Sequence, residues 1–358
     1  KSPFPAKLFL RKGFTPFKQT AAMKHISICI ISLWVGILAV SCGKSGPEAP
    51  ETSEGIPMSF GPAAVSRSAN LLDTDNINTS GNQLTVYDLY TTSEQSVLYM
   101  DATQVTCDGS GNWTYSPLKY WTETGEHAFT AYLSHQDGIT LDGTTSTTGY
   151  PTVTYSQPDD ALSISQWKIT TTSQFDFLYA WHSRNMETVA NPHAPVEFSL
   201  NHLLCAVQFN VVNLMPASTV TLNVFTLNGL REGKAVITKG KPVVTLSSDT
   251  SYGLTENVPD EEKELEYNTP YKLFSNDGGE GYVLLWPHTQ EVFGGLTGKI
   301  SYTYGTTEVD KEIKLIDGST NNWRAGQKYT YNFYIQDNRI SLSVEVVPWK
   351  TDDVIIAE

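Results

Sequence analysis

Residues 329–346 read YTYNFYIQDNRISLSVEV, and their alternation decides the class of fold. Tyr329, Tyr331, Phe333 and Ile335 occupy every second position up to Asp337-Asn338, a turn pair. Beyond it, Ile340, Leu342, Val344 and Val346 alternate with Ser341, Ser343 and Glu345. Successive side chains of a strand point to opposite faces, so a period of two predicts a β-hairpin with one buried face. Working outward, Val220–Val224 and Ile300–Tyr304 repeat the pattern, and Leu84–Tyr90 and Ala128–Leu133 follow it less regularly. Clusters of Gly, Asn, Asp and Ser at 108–112, 142–149 and 275–281 separate the runs. No window holds a helical stripe longer than about two turns. Many short strands with frequent turns predict an all-β chain built of β-sandwiches. Pro192 and Pro195 precede a strongly apolar strand over Val196–Val212, which places a boundary near residue 195. The expected domains are 56–195 and 196–358.

The N-terminal part reads as a leader. Residues 1–22 carry lysines and no acid, and Met23 has the character of an initiator, so 1–22 are expected to be upstream read-through. Ile26–Val40, about 15 residues, matches the apolar core of a signal peptide and is too short to span a bilayer. Leu38-Ala-Val-Ser-Cys-Gly43 then resembles a bacterial lipobox, which makes 23–42 a lipoprotein signal peptide and Cys42 the site of lipid attachment, palmitate included. The alternative is an ordinary cleaved signal peptide that contains a cysteine. Multiple acyl chains on one cysteine anchor a protein stably. Residues 43–55, GKSGPEAPETSEG, lack large apolar side chains and read as a flexible tether.

Charge narrows the partners. Six of the 24 Lys+Arg and none of the 38 Asp+Glu lie in residues 1–42, leaving the remainder at −20. Such an acidic surface repels phosphate backbones, so nucleic acid is not expected as a partner. Cys107 and Cys205 remain beyond the leader; Cys205, within an apolar strand, reads as a buried thiol, although export permits a disulfide.

The chain offers little for catalysis. His182, His193 and His202 fall close together but lack metal-ligand spacing, so neither metal nor cofactor is expected. Phosphate-cradling and nucleophile-elbow motifs are missing. Asp159-Asp160 and Asp260-Glu261-Glu262 read as solvated acids rather than an acid/base pair. No enzymatic activity is expected. Trp113, Trp121, Trp167, Trp181, Trp286, Trp323 and Trp349 lie in or beside strands; they read as core filling, with stacking on sugar rings as the other use of such residues.

Several segments together resemble the fimbrillins, pilus subunits and tip adhesins of Bacteroidales. They are Leu118-Lys-Tyr-Trp121 with Ala128–Leu133, Phe175–Ala180, Phe198–Phe209, Gly281–Pro287, Trp323–Tyr331 and Ile340–Trp349. Trp286 breaks the usual apolar run of the fourth. The resemblance implies two tandem transthyretin-like β-sandwiches, lipoprotein export to the outer membrane, and no enzymatic role. It further implies assembly into a homo- or hetero-polymer by strand exchange, after arginine-specific proteolysis removes the first strand. An open sheet edge with an empty apolar groove is completed by a donor strand.

This chain has residues that fit that scheme. Ile56, Met58 and Phe60 form a short apolar strand, and Arg67 is the only Arg or Lys between Lys44 and Lys119. Cleavage is therefore expected between Arg67 and Ser68, with a solvated loop arginine as the other reading. Val354, Ile355 and Ile356 offer a C-terminal strand, either a donor or a last core strand. The expected function is a structural subunit or tip adhesin of a surface fimbria, with other subunits and a host or bacterial surface ligand as partners. The alternative is a lipid-anchored outer-membrane glycan-binding protein.

Overall fold

The computed structural model describes residues 55–65, 72, 74–141, 149–248, 251–259, 264–275, 281–288, 295–316 and 322–348. Its strands begin with β1 (Ala64–Val65), β2 (Gln83–Thr91), β3 (Ser96–Cys107), β4 (Trp113–Thr114), β5 (Glu126–Gln136) and β6 (Ile139–Thr140). Next come β7 (Val153–Ser156), β8 (Ala161–Trp167), β9 (Leu178–Asn185), β10 (Ser199–His202), β11 (Cys205–Asn213) and β12 (Val220–Leu230). β13 (Gly233–Thr238), β14 (Lys241–Leu246), β15 (Tyr252–Asn257), β16 (Glu264–Leu265) and β17 (Pro270–Lys272) follow. The last are β18 (Tyr282–Leu285), β19 (Thr297–Tyr304), β20 (Thr307–Lys314), β21 (Gln327–Gln336) and β22 (Arg339–Pro348). One turn of helix, α1 (Thr74–Ile77), is the only helix among the described residues, and the chain is all-β as expected.

Four sheets result. One of eight strands runs β1-β10-β9-β5-β2-β3-β4, with β6 on β5. A four-stranded sheet, β14-β13-β8-β7, packs on one face of it. Tyr87 of β2 stacks on Tyr155 of β7 with ring centres 4.2 Å apart. Two five-stranded sheets, β17-β11-β21-β22 with β18 and β15-β12-β19-β20 with β16, face each other. Phe209 of β11 and Phe333 of β21 meet Phe225 of β12 there, at 5.2 and 5.7 Å.

The hairpin read from 329–346 is β21–β22, turning at Asp337, whose φ is +53°. Tyr329, Tyr331, Phe333 and Ile335 are buried. On β22, however, Ile340, Leu342 and Val344 are half-buried and Val346 is exposed. β22 is an edge strand, so the facing sheet covers its apolar face only in part. Val196–Val212 is not one strand: the chain turns at Leu203-Leu204 and passes from β10 in the first sheet to β11 in another.

Strands on both sides of residue 195 share a sheet, because β13 pairs with β8 over Thr238↔Ala161 to Gly233↔Trp167. Trp286 seals this junction. Its ring meets Trp167 edge-on at 5.9 Å, and its Nε1 donates to Trp167 O at 3.0 Å. A Cβ on Gly233 would lie 2.4 Å from Trp286 Cδ2, so only glycine lets the indole approach. The tryptophan that departs from the fimbrillin-type apolar run is thus the packing residue between the two halves.

Candidate acceptor groove and its resident strand

The first sheet has two ends, at β10 and at β4, and residues 56–65 lie between them. On one side, Met58 N donates to Lys119 O (2.8 Å) and Trp121 N to Ile56 O (3.0 Å). The bridges Pro57↔Tyr120 and Phe60↔Trp113 on this side are antiparallel. On the other, Gly61 N donates to Val196 O (2.9 Å), Val196 N to Ser59 O (2.8 Å) and Ala64 N to Phe198 O (3.0 Å). β1 continues this side as a parallel pair with β10, Ala64↔Ser199 and Val65↔Leu200. The segment is the seam that joins the two edges of the sheet.

Its side chains explain its hold. Met58, Phe60, Ala63 and Val65 are buried, while Ile56, Pro57, Ser59, Pro62 and Ala64 face outward. The alternation slips by one residue at Gly61-Pro62, where proline cannot donate to a ladder. Phe60 is the anchor: it stacks on Phe198 (5.7 Å, 18°) and meets Tyr115 and Phe129 edge-on at 5.4 and 6.2 Å. Asn78 substitutes for a strand neighbour at Ala63. Its Oδ1 accepts from Ala63 N (3.2 Å) and from Trp113 Nε1 (2.8 Å), and its Nδ2 donates to Ala63 O (3.1 Å).

The groove floor carries polar pins that tie its walls down. His127 of β5 lies between Asp88 of β2 and Thr122, with Nδ1–Oδ2 2.7 Å and Nε2–Oγ1 2.9 Å. The Thr122 hydroxyl donates to Thr124 O at 2.8 Å, so His127 Nε2 must be the donor to Thr122. One proton is then left between Nδ1 and Oδ2, and the fully buried pair is neutral as a whole. Burial pushes the Asp88 carboxyl upward and the bond to His127 opposes this. His202, at the end of β10, pairs in the same way with Asp176 at 2.8 Å. Arg184 of β9 lies under Trp121 and donates to the carbonyls of Pro192, Ala194 and Pro195.

The expected site residues fare unequally. Met58 and Phe60 fill the groove. Ile56 is 51% exposed and contributes only its carbonyl, because its side chain falls on the outer phase of the alternation. Ala63 and Val65 also fill it; sequence reading stopped short of them at Gly61-Pro62. Cys42, Arg67, Ser68, Val354, Ile355 and Ile356 lie outside the described residues, as does Trp349.

Asp160 is not a solvated acid: it is buried and accepts from Thr130 Oγ1 (2.8 Å), Tyr155 OH (3.0 Å) and Trp181 Nε1 (2.8 Å), pinning β5, β7 and β9 together. Cys107 and Cys205 are separate buried thiols, and burial pushes the Cys205 thiol far up. Trp113, Trp121, Trp167, Trp286 and Trp323 are buried and Trp181 is half-buried, so none of the described tryptophans stands out as a free stacking platform. No group of three or more His, Cys, Asp or Glu among the described residues is placed to hold a metal ion.

Comparison with known proteins covers most of the chain. It is similar in structure to a fimbrial protein from Bacteroides vulgatus, with a TM-score of 0.57, 16% identity, and 82% and 99% of the two chains covered. It is also similar to a candidate cell adhesion protein from Bacteroides ovatus, with a TM-score of 0.51, 14% identity, and 84% and 99% covered. At these identities the likeness shows a shared fold. The search of curated proteins returned no match. Residues 70–349, however, match the fimbrillin-like family. The motifs read from Leu118 to Trp349 lie inside that span, and this chain belongs to the fimbrillin-like family of fimbrial subunits and adhesins.

Proposed function

We propose that this chain is a fimbrial subunit that polymerises by exchanging residues 56–65 for a strand of a neighbouring copy or a related subunit. The supporting observation is the seam itself: a short segment with four buried side chains, paired on both sides, between the two edges of one sheet. Burying a Met, Phe or Val side chain is worth about 1.5–3 kcal/mol, and each net backbone hydrogen bond about 0.5–1.5 kcal/mol. Emptying the groove would therefore cost on the order of 10 kcal/mol, which an incoming strand of matching pattern restores. That is β-augmentation with side-chain pockets to set register.

In this reading Cys42 carries lipid through export to the outer membrane, and a protease cuts between Arg67 and Ser68. Arg67 follows the last buried seam residue, Val65, by two positions, so the cut frees the seam without touching the rest of the sheet. Val354, Ile355 and Ile356 are the candidate donor positions, alternating less well than 58–65. The halves 56–195 and 196–358 act as two lobes, the second lending the β13–β14 hairpin to the first. No bond-making chemistry is assigned to the chain. A glycan-binding use would need an exposed aromatic face, and of the described tryptophans five are buried and Trp181 is half-buried. N-terminal sequencing of the protein from assembled fimbriae tests the proposal. It should begin at Ser68; a start at Cys42 or Gly43 would overturn the processing step.

A further inference from the structure

Building on the strand-exchange reading, we propose that Arg184 is the positioning residue that holds the two walls of the groove at strand width once residues 56–65 have left. One wall is 113–121 and the other 192–200. With the seam in place, its backbone bridges them: Trp121 N reaches Ile56 O, and Val196 N reaches Ser59 O. Among the described residues no hydrogen bond runs directly from one wall to the other. When the seam leaves, the bridge leaves with it.

Arg184 engages both walls from the floor. Its Cζ lies 4.7 Å from the centre of the Trp121 ring. Its Nη1 donates to Pro192 O (3.2 Å) and to Ala194 O, and its Nη2 donates to Pro195 O (3.3 Å). The residues it holds adjoin those that pair with the seam, Trp121 itself on one side and Val196 on the other. Its backbone is fixed in register by β9, opposite His127, whose bond to Thr122 anchors the first wall.

The residue type suits the task. A guanidinium is a rigid plane with five donors that stacks on an aromatic face while its edge serves carbonyls; an ammonium cannot do both. Arg184 is buried, and its one electrostatic carboxylate partner among the described residues, Glu197 on the second wall, is not hydrogen-bonded to it. A buried cation without a bonded counter-ion is costly unless its surroundings satisfy it. Here the ring, the three carbonyls and the charge of Glu197 do so, and only while both walls stay in place.

The test compares the intact chain with the chain cut by limited trypsin after Arg67, the cut being confirmed by N-terminal sequencing. The probe is a fluorescent synthetic peptide of residues 55–66. The wild-type cut chain should take up the peptide. R184M should lower the melting temperature of the cut chain more than that of the intact chain, in which the seam still bridges the walls. In the cut chain R184M should slow or weaken peptide uptake by about tenfold or more, and R184K, which keeps charge but loses the fork, should fall between. If the wild-type cut chain takes up no peptide, the strand-exchange reading fails. If it does, and R184M and R184K match it, the role given to Arg184 is overturned. It is overturned equally if R184M lowers the intact and cut melting temperatures by the same amount. Should R184M not fold, R184K decides: uptake equal to wild type overturns the proposal.

Discussion

Replacing Phe60 by alanine should loosen the seam far more than the shortness of the segment 56–65 would suggest. Its ring is 6% exposed and touches Tyr115, Phe129 and Phe198. Truncating a buried Phe costs about 3–5 kcal/mol; the lower figure multiplies the opening equilibrium by on the order of 10²-fold. Native-state hydrogen exchange reads this at Met58, Gly61 and Ala64, whose amides donate across the seam. Those amides should exchange on the order of 10²-fold faster in F60A, through release of the seam alone. The control is F225A, which strikes the second sandwich core. It should accelerate the amides of β11 and leave the three seam amides nearly unchanged. If F225A accelerates the seam amides as much as F60A does, the seam opens only when the whole molecule unfolds, and the reasoning fails.

Further predictions concern the frame around the groove. Burial holds His288 down to about 4 from its usual 6.5, its Nε2 accepting from Arg231 N. The unfolded chain therefore binds this proton near pH 6.5 and the folded chain only near pH 4, so about 3 kcal/mol of stability present above pH 6.5 is lost as pH falls through that window. Urea melts at pH 7 and pH 4 should show this loss, and H288N should lack that part of it. G233A drives a Cβ into the Trp286 ring and should cost at least about 1–3 kcal/mol by urea denaturation. D160N keeps one acceptor for Thr130 and Tyr155 and sets an amide N–H₂ against the donor-only Trp181 Nε1, so it should cost about 1–3 kcal/mol in the same assay, with loss of near-ultraviolet signal from Trp181.

The sequence carried the strands well where one face meets a core and the other meets water, as in 329–335 and 220–224. It misled where an edge strand or a shared sheet breaks that simple pattern. β22 alternates as well as β21, yet as an edge strand its apolar face is only partly covered among the described residues, and periodicity does not report what lies across from a face. Val196–Val212 reads as one strand because apolar residues alternate through β10 and dominate the wholly buried β11, while the turn residues Leu203-Leu204 are themselves apolar and carry no turn signal. The seam was legible in Met58 and Phe60. Its continuation through Ala63 and Val65 was hidden by the one-residue slip at Gly61-Pro62, although counting backward from Val65 would have found it. Arg184, Asn78 and Asp160 gave no signal, because each acts through partners far away in the chain: Asn78 reaches Trp113 and Asp160 reaches Thr130. The resemblance to fimbrillins supplied what spacing could not, namely why an apolar segment ahead of a lone arginine deserves notice.

The most direct measurement is the mass in solution of the chain after cleavage behind Arg67, by light scattering coupled to size exclusion, with mass spectrometry of the fractions. The account predicts multimers that have lost the fragment ending at Arg67 and that resist SDS. A monomer that still carries that fragment through the column would contradict it.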